Sequence, residues 1–321
     1  MMDKATFNSL TPTRLKLIIM PTEQCNFRCT YCYEDFEIGK MKASTVNALK
    51  TYLDRRKDEV TNLEVEWFGG EPLLARSIIY EVMDDILDKY DNKYVHSSMT
   101  TNGYKLTADV LSELVSKKVT GYQITLDGER SVHDKNRIMV NGKGSFDTIW
   151  SNLLSFKKLK CNFNIFLRLH ISMENYDSIT GLLENIERNF GNDSRFKVRL
   201  KPLGKYGGSN DDNLPILTGE NLDFVTQGFK HLQENKGDST VLTTASMLAS
   251  DTVCYASQGN SYVIRANGAI SKCTVELNAD RNIVGILDQN GTMVLDQQKM
   301  TFWTRGVLNK DKKTRLCPSR F

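Results

Sequence analysis

Three cysteines within nine residues constrain this chain more than any other feature: the stretch CNFRCTYCY, Cys25 to Tyr33, sets Cys25, Cys29 and Cys32 in a C-x3-C-x2-C array. Three thiolates this close, with no fourth beside them, can hold three irons of a four-iron four-sulfur cluster and leave the fourth iron open to an exogenous ligand. An open iron is a reaction site, whereas a closed one would be structural. A structural zinc site takes four ligands, and no Cys or His follows Cys32 until His96, so a local zinc finger would be short of one. Disulfides fit poorly, because the 7 cysteines are an odd number and no long apolar run of a secretory signal opens the chain. A free-thiol inventory without an export signal places the expectation in a reducing cytoplasm.

At 321 residues the chain exceeds one average domain, and 40% hydrophobic with 25% charged residues is ordinary for a globular protein with a sizeable core. A net charge of +3 points to neither nucleic acid nor an anionic membrane, and no apolar run reaches spanning length. Residues 1–14 are polar and patternless, a flexible lead-in. LKLIIM before Pro21 reads as a buried strand, so the cysteine loop hangs from a strand's C-terminal end, where parallel α/β folds place chemistry. Strands at about 63–68, 94–100, 121–127, 163–171 and 196–202 then alternate with helical patterns, the one after Ser145 having that residue as its N-cap. Such βα alternation with short connections predicts a parallel α/β sheet.

The C-x3-C-x-aromatic-C loop after an apolar strand resembles the signature of radical S-adenosylmethionine enzymes. That resemblance implies a partial (β/α)6 TIM-like barrel over residues 15–215. It also implies that the open iron of a [4Fe-4S] cluster chelates the methionine moiety of S-adenosylmethionine, with a flavodoxin or ferredoxin as electron donor. Tyr31, the aromatic of the loop, joins the cofactor site on the same ground. Gly69, Gly70, Glu71 and Pro72 resemble the family's second motif, whose carbonyls accept from the cofactor's ammonium; Glu71 has a rival role as an ion-pair partner in the barrel rim. QITLDGERSVHDKNR, Gln123 to Arg137, resembles the S/T-L-D-G…H-D-x-x-R signature of members with a C-terminal SPASM or twitch extension. Thr125 and Asp127 alternate on one strand face, where the Thr125 hydroxyl can reach the ribose or carboxylate of the cofactor. Asp127 with Gly128 can equally close a turn, and His133, Asp134 and Arg137 can order the loop by hydrogen bonding. Arg168, inside an apolar strand, needs an anion: the methionyl carboxylate by resemblance, or an acid on a neighbouring strand. His170 reads as a core histidine and Cys161 as an ordinary thiol.

The Gly-, Asn- and Asp-rich stretch 204–213 reads as a loop or hinge, followed by a bridging helix at about 218–235 within a linker spanning 216–244. From 245 to 321, Cys254, a hairpin turning at Asn267 and Gly268, and Cys273 resemble the start of a SPASM or twitch domain. Cys317 is the third candidate ligand of one auxiliary iron–sulfur cluster, returned by a helix around 298–308. Seven cysteines and two clusters are that domain's fuller pattern, so three ligands imply at most one cluster with a fourth ligand unassigned. The function implied is hydrogen abstraction from a peptide or protein, in the manner of enzymes that mature ribosomally made peptides, with a separate protein delivering the peptide. Formylglycine formation on a sulfatase is an alternative, and a non-catalytic iron–sulfur redox sensor is another.

Overall fold

The structure, a computed structural model, describes residues 4–223, 225, 240–241 and 252–321. Two compact units divide the chain, one made of Met1–Gln24, Phe36–Ser98 and Thr244–Phe321, the other of Cys25–Asp35 and Met99–Thr243. The larger part of the bridging segment expected at 218–235 lies outside the described residues.

In the first unit, strands β1 (Arg14–Ile19) and β3 (Asn62–Trp67) pair in parallel. Leu63, Val65 and Trp67 alternate with Asn62, Glu64 and Glu66, so one face of β3 is buried, and Lys16 of β1 meets Glu64 at 2.6 Å and Glu66 at 3.2 Å on the other. Helices α2 (Ala43–Arg56) and α3 (Arg76–Lys89) cover the apolar face with Val46, Leu49 and Leu53 and with Ile79, Val82, Met83 and Ile86. Each fully buried aliphatic side chain here stabilises by roughly 1.5–3 kcal/mol.

The C-terminal strands continue this sheet. Strand β10 (Ser261–Ile264) lies parallel to β1 with Ile18 opposite Val263, and β11 (Ala269–Ser271), β12 (Ile283–Leu287) and β13 (Met293–Leu295) follow as antiparallel neighbours. The expected turn at Asn267–Gly268 joins β10 to β11, with Gly268 at φ +86°. Two helices, α8 (Gln297–Leu308) and α9 (Lys312–Leu316), end the chain. Inside the unit, Arg265 presents its fork to Glu23 at 2.6 and 3.2 Å, and the two side chains are 4% and 3% exposed. A buried pair of this kind is tolerated because its geometry is bidentate and Ala266 N donates to the same carboxylate.

In the second unit β5 (Val119–Leu126), β7 (Asn164–Ile171), β8 (Phe196–Pro202) and β9 (Thr240–Val241) run parallel in that order. Strand β7 alternates strictly, with Ile165, Leu167, Leu169 and Ile171 buried and Phe166, Arg168 and His170 on the opposite face. Helix α7 (Tyr176–Phe190) packs the core with Ile179, Leu182, Ile186 and Phe190. Strand β4 (Val95–Thr101) carries a boundary of the two units along its length.

Two departures from the expected elements have local causes. Residues 4–10 of the supposedly patternless lead-in form helix α1, held because Gly259 N donates to Ser9 O and the Asn260 amide to Asn8 O and Thr11 O. Helix α6 (Phe146–Phe156) does begin after Ser145, but Ser145 makes no side-chain cap; the Asp134 carboxylate accepts from the backbone N–H of Ser145 at 2.7 Å and of Phe146 at 2.9 Å instead. A carboxylate there also meets the positive end of the helix dipole.

Candidate functional site

The cysteine loop is clamped as a strand. Phe27–Cys29 (β2) pairs antiparallel with Arg137–Met139 (β6), placing Cys29 directly opposite Arg137. Sequence periodicity cannot reveal three-residue strands. The pairing explains why a loop needs the segment His133 to Arg137, which forms the short helix α5 (Arg130–Asn136) and β6. His133 Nε2 lies 3.1 Å from Ser145 Oγ, Asp134 caps α6, and Arg137 Nη1 donates to the Tyr31 hydroxyl at 2.6 Å. Tyr31 in turn donates to Asp127 Oδ2 at 2.6 Å. Asp127 is therefore more than a turn residue, although Gly128 beside it does adopt φ +135°.

Electrostatics in this network follow from burial. Burial pushes the Cys29 thiol up, partly offset by the Arg137 guanidinium, and lifts Cys32 to about 12. Asp127 is also opposed by burial, but His170, Arg137 and His133 together hold it at about 2. His133 and His170 fall to about 4, both chiefly through burial, and stay neutral at physiological pH. Asp127 Oδ1 and His170 Nδ1 stand 3.4 Å apart, at the outer limit of hydrogen bonding, and neither has a closer partner among the described residues.

Three observations show that the loop suits thiolate ligands. Phe27 N donates to Cys25 Sγ at 3.3 Å, and the Asn102 amide reaches the same sulfur at 4.0 Å. A backbone N–H at Glu34 does the same for Cys32. Hydrogen bonds to sulfur stabilise the anion and tune a cluster's potential. Stretch 204–213, expected to be a loop or hinge, is largely a loop that packs here: the Asn210 amide donates to Thr30 O at 2.8 Å, and Tyr206 meets Tyr33 edge to face.

Thr125, Arg168 and Arg199 form one row across β5, β7 and β8, since Thr125 registers with Arg168 and Arg168 with Arg199. Arg168 Nε is buried and finds no hydrogen-bond partner among the described residues. No acid on a neighbouring strand pairs with it, so the ion-pair alternative for Arg168 fails there and an anion from outside the chain fits.

The Gly69–Pro72 motif lies in the first unit. Gly69 sits at φ +123°, and a Cβ on Gly70 would come within 2.5 Å of Gln24 O. Glycine at 70 thus allows the backbone to approach residues 22–24, the stretch that leads into Cys25, and Glu71 N donates to Gln24 O at 2.9 Å. Glu71, fully buried, caps the short turn Pro72–Ala75 by accepting from Leu73 N at 3.0 Å.

The second set of cysteines assembles from three separate elements of the first unit. Cys254 N donates to Arg315 O, and burial, with the sulfurs of Cys273 and Cys317 nearby, lifts Cys254 to about 11. Val275 N donates to Cys273 Sγ at 3.4 Å, while N–H groups of Ala256 and Ser257 serve Cys254. Asn282, fully buried, holds the Cys273 turn: its Oδ1 accepts from Lys272 N and Cys273 N, and its Nδ2 donates to Cys273 O and Glu276 O. Asn282 left no mark in the sequence. Among the described residues no group of three or more His, Cys, Asp or Glu is arranged to hold a single metal ion, and no helix is long and apolar enough to cross a membrane.

Comparison with known proteins adds independent findings. The Radical SAM superfamily matches residues 19–186. A cysteine-type anaerobic sulfatase-maturating enzyme of Clostridium novyi (strain NT) is 31% identical over 160 residues, 47% of this chain and 42% of that protein. The matched stretch is thus less than half the length of that relative. Among solved structures, native anSMEcpe with bound AdoMet and Cp18Cys peptide superposes with TM-score 0.69 at 18% identity, covering 95% of this chain and 88% of that one. Streptococcus suis SuiB bound to its precursor peptide SuiA gives TM-score 0.61 at 14% identity, over 84% of this chain and 61% of that one. These two likenesses show the fold, a partial parallel barrel followed by a C-terminal domain, as the sequence led us to expect.

Proposed function

The chain belongs to the radical SAM superfamily of enzymes, and on that premise we propose that it takes a hydrogen atom from a peptide or protein, as a peptide maturase does. Residues 15–215 would be the catalytic domain and 245–321 an auxiliary-cluster domain. When bound, the family's [4Fe-4S] cluster and S-adenosylmethionine supply one electron and a 5′-deoxyadenosyl radical. Cys25, Cys29 and Cys32 would hold that cluster, their thiolates eased by the N–H donors of Phe27 and Glu34. Arg168 would grip the methionyl carboxylate, the Thr125 hydroxyl the ribose, and carbonyls of the Gly69–Pro72 turn the ammonium. Tyr31 would belong to this site as the aromatic of the cysteine loop, its hydroxyl held by Asp127 and Arg137. Cys254, Cys273 and Cys317 would carry one auxiliary cluster.

The buried, partnerless Arg168 Nε beside Thr125 carries this reading, because a guanidinium in that position is costly unless an anion meets it. A peptide substrate draws support from the peptides bound to the two structural relatives. Sulfatase maturation is the second reading, favoured by the 31% identity to the Clostridium novyi enzyme. Anaerobically reconstituted protein given dithionite and S-adenosylmethionine is expected to release 5′-deoxyadenosine. A sulfatase-type peptide whose cysteine becomes an aldehyde by mass spectrometry would select the second reading. A fully loaded cluster that yields no 5′-deoxyadenosine would overturn both and point to a redox sensor.

A further inference from the structure

We infer that Arg199 is a substrate-binding residue that holds a carboxylate of the peptide, either an Asp or Glu side chain or the C-terminus, next to Arg168. This inference rests on the peptide-modifying reading above. Its ground is the face of β8 on which Arg199 stands. Phe196 stacks on Phe190 of α7 with ring centroids 4.5 Å apart, so the alternating set Lys197, Arg199 and Lys201 lies on the opposite face, the one that carries Arg168 on β7. Register makes Arg168 and Arg199 direct neighbours, their strands roughly 4.8 Å apart. The Arg199 guanidinium is braced against the Phe166 ring, 4.9 Å from its centroid.

Two other arginines of this unit meet acids, Arg195 with Asp193 and Arg130 with Asp147, each at 2.6 Å. Among the described residues neither Arg168 nor Arg199 has such a carboxylate, and Asp127, at the end of neighbouring β5, is committed to Tyr31 and beside His170. Two guanidinium groups side by side repel, and burial together with the Arg168 charge loosens the Arg199 proton, the direction that an absent counter-ion produces. One anion, the cofactor's carboxylate, would satisfy Arg168. It leaves the planar fork of Arg199 half-buried, held by an aromatic ring and shaped for a second carboxylate.

The test uses anaerobically reconstituted full-length protein with S-adenosylmethionine, and labelled nonapeptide pools randomised over neutral residues. One pair of pools has a central Glu or Gln with an amidated end; the other has Gln at the centre with a free or amidated C-terminus. Anisotropy titration is expected to show about tenfold tighter binding of the acidic member of at least one pair, as a charge-assisted bond would give. Arg199→Gln should abolish that preference and Arg199→Lys retain part of it, with iron content as the check on integrity. S-adenosylmethionine affinity should fall in Arg168→Gln but hold within about twofold in Arg199→Gln. Equal affinity within both pairs, a preference that survives Arg199→Gln, or an equal loss of cofactor affinity in the two variants would each overturn the inference. Release of 5′-deoxyadenosine by the same preparation tells its failure apart from failure of the underlying reading.

Discussion

The two groups of cysteines use one local device in opposite architectures. Cys25, Cys29 and Cys32 share a single loop, clamped by the β2–β6 pair, while Cys254, Cys273 and Cys317 come from three elements joined by backbone bonds and by the Asn282 amide. Yet in both groups a backbone N–H two residues on serves the sulfur: Phe27 for Cys25 and Val275 for Cys273. Cys161, outside either group, has no such donor to its sulfur among the described residues, and its carbonyl accepts from Arg195. The difference teaches that a turn can present an N–H to the sulfur before it, whereas what brings the sulfurs of one group together can be either spacing or tertiary structure.

The sharpest way to break this comparison is to remove one sulfur from each group. Cys29→Ala should abolish 5′-deoxyadenosine formation. Cys254→Ala should lower iron from about eight to about four per chain, as loss of one four-iron cluster requires, while cleavage of S-adenosylmethionine without substrate persists. Iron near four per chain that Cys254→Ala leaves unchanged would dissolve the second group as a metal site.

A smaller effect separates spacing from tertiary assembly. Asn282→Ala removes four hydrogen bonds around Cys273, worth roughly 2–6 kcal/mol together. Denaturant unfolding should register that loss, and a chelator challenge should strip the second iron pool faster while the first holds. Equal release of both pools would show that the two groups are not independently supported.

Acidification sharpens the comparison from the side of the first group. His133 is buried and its pKa drops to about 4, so below its usual 6.5 the unfolded chain takes up a proton that the folded chain refuses. The stabilisation is complete above pH 6.5 and declines as pH falls toward 4, by about 3 kcal/mol at most. Asp127, held at about 2, acts in a lower window, its contribution intact above 3.8 and lost only as pH approaches 2. Denaturant midpoints measured from pH 7 to 5 should therefore fall, and His133→Asn, which keeps a polar partner for Ser145, should flatten the slope. An unchanged slope would remove His133 from the account.

Much of this was legible in the residues. Strict alternation in β7 and the apolar run of β1 announced the parallel sheet, because burial on one face or both writes itself into the pattern. The cysteine loop was legible because its ligands are adjacent in sequence. Short strands β2 and β6 were hidden, since three residues hold no period, and α1 was hidden because Gly259 and Asn260, far along the chain, supply its support. The role of Asp134 as a helix cap was concealed by the ten residues, strand β6 among them, that separate it from Ser145. Arg199 escaped notice because it is one of three cations, with Lys197 and Lys201, that alternate with apolar residues along β8, and only register with Arg168 sets it apart from the other two.

Strand β1 has hydrogen-bonded neighbours on both flanks, β3 on one and β10 on the other. The C-terminal hairpin is thus no detachable accessory in the manner of beads on a string. Transplanting it to another barrel would require a recipient whose first strand presents a matching open edge, and swapping the barrel beneath it carries the same demand. Tinkering at either end of the chain has to respect a seam that both ends share.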